Sequence, residues 1–462
     1  MTFRRTVLAS LLVLVALVSA EAVRALFPVA RAGDPIQTPG KYLGASTCSG
    51  ASCHEKPDKP RDTPPGLQEY TTWSTPNSDG SPADRHSYAF KRLKPKAKGG
   101  DDRSPEIMKK LNEIEKTSET AETSERCLTC HGVAVHDYGV GKSNPGAAVG
   151  KHKELQGGKF RPEDGVSCDG CHGPAEKWLK LHDKKNWTIA EWQKQGGKSG
   201  GSQKLYDAFG IYFSKDLELW ANQCVRCHLR IDTNLIDAGH PDLNAFELFY
   251  QNQFVPPHWR DYTTAAPSPE LPAAGPMHAA VVWQTGQAVA LRASLEQVRV
   301  RKDAKPEHLA AAIERATAHW VTLRHALARF APDAAKPLDE AMSDLKGSGD
   351  AAAKAAEKAL EVLKPVARAA ADAKCDLASV TDVMKGIAND PQILESQRFA
   401  EQATKALYSL GYARLAQTKP DDLLANPPAD PVMKAVYAML EAIDPKADTF
   451  KKSLGEIKAA LK

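Results

Sequence analysis

Long apolar runs, methionine and an excess of charge of one sign are what this 462-residue chain has least of. Its one extended apolar run, Val7 to Val18, falls short of the roughly 20 residues that cross a bilayer. Arg4 and Arg5 precede it and Val18-Ser19-Ala20 closes it, the layout of an export signal. Residues 1–20 therefore read as a signal peptide, with a second small-residue site at Ala30-Arg31-Ala32 that allows cleavage as late as 32. The arginine pair lacks the rest of a twin-arginine pattern, which favours general export to the periplasm or beyond. Membrane association would require this segment to stay uncleaved. The formal charge is +4, and loss of Arg4 and Arg5 with the leader lowers it to +2. That balance gives no case for nucleic acid. No nucleophile–base pair stands out, which leaves hydrolytic catalysis without support.

What is present is cysteine in a fixed pattern. Cys127-Leu-Thr-Cys130-His131, Cys168-Asp-Gly-Cys171-His172 and Cys224-Val-Arg-Cys227-His228 are three strict C-x-x-C-H units. Cys48-Ser-Gly-Ala-Ser-Cys53-His54 is a fourth with four residues between its thiols. Eight of nine cysteines are used this way. C-x-x-C alone fits a redox dithiol or half a zinc site, but zinc clusters do not need histidine straight after every pair. C-x-x-C-H points to covalent c-type haem: two thiols add to the two vinyl groups, and the adjacent histidine binds iron. The expectation is four haem c groups, with His54, His131, His172 and His228 as proximal ligands. For the stretched first unit, a disulfide or attachment through one thiol remains open.

Composition shifts near residue 265. Before it Gly, Pro, Trp and His are frequent and long helical periods scarce, as expected of a domain whose cofactors supply much of the core. "TTAAPSPELPAAGP" (Thr263 to Pro276) marks the boundary. Beyond it Ile313, Ala316, Trp320, Leu323, Leu327 and Phe330 form one helical stripe, and Val281, Ala288, Leu291, Leu295 and Val298 another. Asp303 and Pro306 are positioned to open the helix of the first stripe. "GSGD" (347–350), "NDP" (389–391) and "NPPADP" (426–431) separate further helices. The fold class is mainly α: a loop-rich tetrahaem domain over 33–265, then an Ala-rich bundle of six to eight helices over 275–462. Cys375, alone in the bundle, reads as a small buried hydrophobe. "KRLKPKAKGG" (Lys91 to Gly100) reads as a solvated loop.

The far side of each iron decides between carrier and enzyme, because an open position lets haem bind small molecules. Methionine cannot fill four positions: of seven, only Met108 lies between the leader and residue 265. Histidine can. His86, His136, His152, His182, His240 and His258 precede the boundary, and His278, His308, His319 and His325 lie at or past it.

"RHSYAFKRL" (Arg85 to Leu93), "EDGVSCDGCHGPAEKWLKLH" (Glu163 to His182) and "DAGHPDLNAFELF…VPPHW" (Asp237 to Trp259) resemble the cytochrome c554-type multihaem family. The resemblance covers about residues 41–260 and does not extend to the bundle. It implies distal histidines supplied by distant loops. His86 would face His172, His182 would face His54, and His136 or His152 would face His228, with His136 preferred. In cytochrome c554 itself the haem corresponding to that on His131 has no protein distal ligand. Here Ala-Gly-His240-Pro presents an imidazole from a tight turn, and His240 is taken to close that iron. This chain departs from the family in its longer first motif, a long insertion before His86 and the bundle itself.

Three functions follow as expectations. The first is an exported tetrahaem electron carrier between a redox donor and a redox acceptor protein, with the bundle for docking or oligomerisation. The second is an oxidoreductase of small nitrogen or sulfur species at a five-coordinate haem on His131. The third is an adaptor in which the bundle tethers the haems to a larger complex.

Overall fold

The computed structural model describes residues 40–50, 53–55, 69–96, 103–132, 156–184, 187–197, 201–242, 245–255, 275–347, 349–424 and 428–462. Residues 1–39, which include the segment read as a signal peptide, His136, His152, His258 and most of the Pro-rich boundary lie outside them. The fold is mainly α, with no strand among the described residues and only two isolated bridges, Tyr42 to Gln156 and Pro76 to Pro82.

In the N-terminal part the helices are short: α1 (Ala45–Cys48), α2 (Glu69–Ser74), α3 (Arg103–Glu115), α4 (Glu125–His131), α5 (Cys168–His172), α6 (Trp187–Lys194), α7 (Gly201–Phe209), α8 (Leu217–His228), α9 (Thr233–Asp237) and α10 (Leu248–Asn252). Three strict motifs end three of them, α4, α5 and α8. In a helix, positions i, i+3 and i+4 share a face, so Cys, Cys and His emerge on one side within a single turn. The first motif differs: α1 ends at Cys48, and Cys53 and His54 follow in a turn in which Cys53 N donates to Gly50 O at 2.7 Å.

The C-terminal part is built from α11 (His278–Val300), α12 (Pro306–Phe330), α13 (Pro332–Ser343), α14 (Gly349–Leu363), α15 (Val366–Asp372), α16 (Leu377–Asn389), α17 (Gln397–Thr418), α18 (Pro431–Glu441) and α19 (Asp448–Ala460). That is nine α-helices among the described residues where six to eight were expected. The extra divisions fall at single prolines, Pro332 and Pro365, which cannot donate to the preceding turn. Pro306 does open α12, but Lys305 is the cap position and Asp303 is 84% exposed. Asp430 and Asp376 cap α18 and α16 through backbone N–H groups of the first turn.

Helix α11 is the axis of the molecule. Of its apolar stripe Ala288, Leu291, Leu295 and Val298 are buried and Val281 is half-buried, but its other face is buried too: Gln284, Thr285, Gln287, Arg292, Ser294, Glu296 and Gln297. A helix covered all round is central, not peripheral. On one side lies a core holding Leu291, Leu295, Trp320, Leu323 and Leu327; each large side chain buried there contributes about 1.5–3 kcal/mol. The same core includes Ala221, Val225 and Leu229 of the fourth-motif region and Phe246 and Leu248. Gly286 lets α10 approach, since a Cβ there would lie 2.6 Å from Leu248 Cβ.

Several polar residues of α11 are matched by partners, though Ser294 Oγ and Gln287 Nε2 are not. Arg292 binds Asn222 at 2.8 Å and Glu218 at 3.4 Å, Glu296 accepts from Arg230 at 2.6 Å, and Gln287 accepts from His319 Nδ1 at 2.9 Å. His319 is fully buried, and desolvation, aided by Arg315 and Lys405, lowers it to about 3. Its pKa is depressed on folding, so the unfolded chain takes up the proton between pH 6.5 and 3 and stability is lost as pH falls through that window. Glu247, raised to about 7 by burial, titrates with the opposite sign. The difference in acid-unfolding midpoint between wild type and His319→Gln isolates the histidine. The variant is expected to lose less stability between pH 6.5 and 4, by on the order of 2 kcal/mol. Parallel curves would show that His319 is not buried neutral.

Candidate metal centres

Three histidine pairs meet in the structure. The rings of His54 and His182 lie 6.0 Å apart centre to centre, those of His86 and His228 6.2 Å, and those of His131 and His240 6.5 Å. These spacings lie within the range of ordinary aromatic pairs and also match the span of two imidazoles on one metal. A metal between two facing imidazoles needs about 6 Å, from two bonds of about 2 Å and about 1 Å from each nitrogen to its ring centre.

The orientation of each ring is fixed from behind. His54 Nδ1 bonds to Glu69 Oε2 at 2.9 Å, His86 Nδ1 to Asp84 Oδ1 at 3.0 Å, and His131 Nδ1 to Ala89 O at 2.8 Å. His182 Nδ1 donates to Leu179 O at 2.5 Å and His240 Nδ1 to Pro241 O at 2.8 Å. In all five the Nδ1 proton is committed to an acceptor, which leaves the Nε2 lone pair for a metal. Two bundle histidines do the reverse: His308 and His325 spend Nε2 on Asp237 and Asp390, while His319 uses Nδ1 on Gln287.

Electrostatics follow from these partners. The Glu69 hydrogen bond raises His54 above the ordinary imidazole range. Burial acts to lower His86, but the bond and charge of Asp84 outweigh it and the net shift is upward. Desolvation lowers His131, His182 and His240, and lowers His228 to about 4, with the neighbouring His86 adding to it. Low values favour the neutral imidazole, the form that binds metal.

The thiols converge as well. Cys48 lies within hydrogen-bonding reach of Cys168, and Cys130 of Cys227, so the first motif adjoins the third and the second adjoins the fourth. Met108 is not near any of the facing imidazole pairs in these contacts; it packs in a small core against Cys127 Sγ at 3.6 Å with Leu111 and Leu128. Among the described residues no three of His, Cys, Asp and Glu form a metal-binding cluster.

No family model, curated protein or solved structure matches this chain. Its geometry therefore stands alone. It seats His182 against His54 and His240 against His131. It also seats His86 against His228, where the family resemblance implied His172 for His86. The reason is anchoring that spans the chain. Ala89 O holds His131, Val166 N donates to His86 O at 2.9 Å, and Asp84 Oδ1 takes both the backbone N–H and Nδ1 of His86. The segment is thereby pinned between the second motif and the approach to the third, with its imidazole turned to the fourth. His172 ends α5, where its carbonyl accepts from Tyr212 N at 2.9 Å. His136, proposed opposite His228, lies outside the described residues.

The residues fit c-type haem on one further observation. Arg226, inside the fourth motif, is 8% exposed, and its one hydrogen bond among the described residues goes to Tyr212 Oη at 2.6 Å. No carboxylate there pairs with it. A buried guanidinium without an anion is costly, and a haem propionate is an anion of the right kind. The sequence reading missed Arg226, Glu69 and Asp84. Asp84 had a signal, two residues before His86; Glu69 had none.

Proposed function

We propose that the chain is an exported tetrahaem c-type cytochrome that passes electrons between a donor and an acceptor protein. Residues 33–265 carry the haems and 275–462 form the helical bundle. Thioethers at Cys48 and Cys53, Cys127 and Cys130, Cys168 and Cys171, and Cys224 and Cys227 would hold the four groups. His54, His131, His172 and His228 would be their proximal ligands. The observation that carries the reading is the set of three imidazole pairs at 6.0–6.5 Å with every described distal Nδ1 tied back. Bound haem supplies reversible one-electron chemistry at iron. The protein's residues do the rest: His182, His86 and His240 would fill the distal positions on the first, fourth and second irons. These three pairs do not assign the distal ligand of the third, on His172. Two histidines per iron favour low-spin centres of comparatively low potential, suited to transfer and closed to substrate. The seating of His240 against His131 weighs against a small-molecule oxidoreductase at that haem.

Mass spectrometry and electron paramagnetic resonance of the purified exported protein test this. Four covalent haems and only low-spin iron are expected. Ligand planes at 10° for His54 and His182, against 90° and 78° for the other two pairs, should split the low-spin signals into a rhombic class and a strongly anisotropic one. Zinc in place of haem, or intact free thiols on all eight cysteines, would end the proposal.

A further inference from the structure

His240 sits in Asp237-Ala238-Gly239-His240-Pro241-Asp242, a turn made by Gly239 at φ +105 and closed by His240 N donating to Leu235 O at 2.8 Å. Its own tether, Nδ1 to the next residue's carbonyl, moves with it. What fixes the turn comes from the bundle. Asp237 Oδ1 accepts from Lys305 Nζ and from His308 Nε2, each at 2.7 Å. Asp242 Oδ2 accepts from Arg301 Nη1 at 2.8 Å, and Oδ1 pairs with Arg315 Nη2 at 2.7 Å. Arg301 Nη2 also donates to Ile231 O at 3.0 Å. Arg301 and Arg315 are fully buried. Arg301, Lys305 and His308 belong to the end of α11, the turn and the start of α12, and Arg315 lies further along α12.

We propose that this α11–α12 turn is a clamp that holds His240 on the second iron, so that the bundle sets whether that iron offers a free position. The inference rests on the reading that haem lies between His131 and His240. The imidazole is carried on a loop bracketed by two carboxylates, and both carboxylates are gripped from outside the haem-bearing segment. Removing one member of a buried pair leaves its partners charged and unpaired, which favours withdrawal of the loop. Arg301 and Asp242 are therefore positioning residues. The bundle then has a role inside the molecule: any partner or condition that loosens the α11–α12 turn converts a closed electron-transfer haem into one that binds a small neutral ligand.

The test uses the haem-loaded full chain in its reduced form with carbon monoxide as the probe, alongside the spin state of the oxidised form. His240→Ala should give one haem of the four that is high-spin and binds carbon monoxide. Asp242→Ala and Arg301→Gln should speed carbon monoxide binding at that one haem by at least about 100-fold over wild type, with four haems retained. Arg301→Lys, which keeps the charge but loses the planar fork, should recover part of the wild-type behaviour. Asp237→Asn, a milder change at the more exposed grip, guards against a folding failure and should accelerate binding by about 10-fold. If His240→Ala opens an iron while the clamp variants bind no faster than wild type, the clamp is wrong and the ligation stands. If His240→Ala opens nothing, the ligation reading fails and takes the clamp with it.

Discussion

Replacing His182 by alanine is expected to turn one haem of four from low-spin to high-spin and to let it bind carbon monoxide. The argument runs from its setting. His182 and His54 are nearly parallel at 6.0 Å, and His54 is held by Glu69 on one side while His182 is held by Leu179 O on the other. Trp178 packs edge-on against the His182 ring at 5.2 Å, which further limits its rotation. Two rings fixed from behind, at the span of two metal–nitrogen bonds, leave nothing nearby among these contacts to replace either one. His182→Met should instead keep the iron low-spin and raise its potential by on the order of 100 mV, because a thioether stabilises the reduced state. His325→Ala is the control, since that imidazole already spends Nε2 on Asp390 and should leave the haem spectrum unchanged. A His182→Ala protein with the same spin state and no carbon monoxide binding would mean the two rings do not share an iron.

What the sequence makes legible, and what it hides, follows the distance over which each feature is determined. A C-x-x-C-H unit is complete within one helical turn, so its chemistry is written locally. The stripe Ala316, Trp320, Leu323 and Leu327 is likewise local, and all four are buried together. The buried polar face of α11 is not local. Arg292 and Glu296 look like residues of a solvated face until Asn222, Glu218 and Arg230 arrive from far along the chain. The same holds for His86. That it is a candidate ligand can be read from the sequence; which imidazole it faces depends on bonds to Ala89, Val166 and Asp84 that join three separate segments. Asp237 and Asp242 around His240 could be seen as a bracket, but the cations that answer them lie some 60 to 70 residues onward.

Asp169→Ala is expected to be the most damaging single change outside the ligands themselves. Asp169 stands between the two thiols of the third motif and is 1% exposed. Its Oδ2 accepts from Leu43 N at 3.1 Å and Gly44 N at 2.8 Å, and its Oδ1 from Ala175 N at 3.1 Å. It thus ties the chain entering the first motif to the third, next to the contact of Cys48 with Cys168. Gly44, at φ +86 with a would-be Cβ 2.6 Å from Lys159 O, shows how closely that chain is threaded. Alanine strands three N–H groups, those of Gly44 and Ala175 buried and that of Leu43 part-buried, at a cost of about 3 kcal/mol. The expected outcome is a lower melting temperature and a mass spectrum in which three haems displace four, the first site being the one lost. Asparagine keeps one acceptor oxygen but turns an amide toward a backbone donor, and should lose about half as much. The pH dependence carries a definite sign. Desolvation, opposed by the three N–H bonds, raises Asp169 to about 6, above its unfolded value, so the contribution is full below about 4 and is lost as pH rises through 6. Relative to Asp169→Asn, the wild type should therefore gain stability as pH falls from 7 to 5. An alanine variant that melts with the wild type and carries four haems would show that the first and third motifs are not joined through this carboxylate.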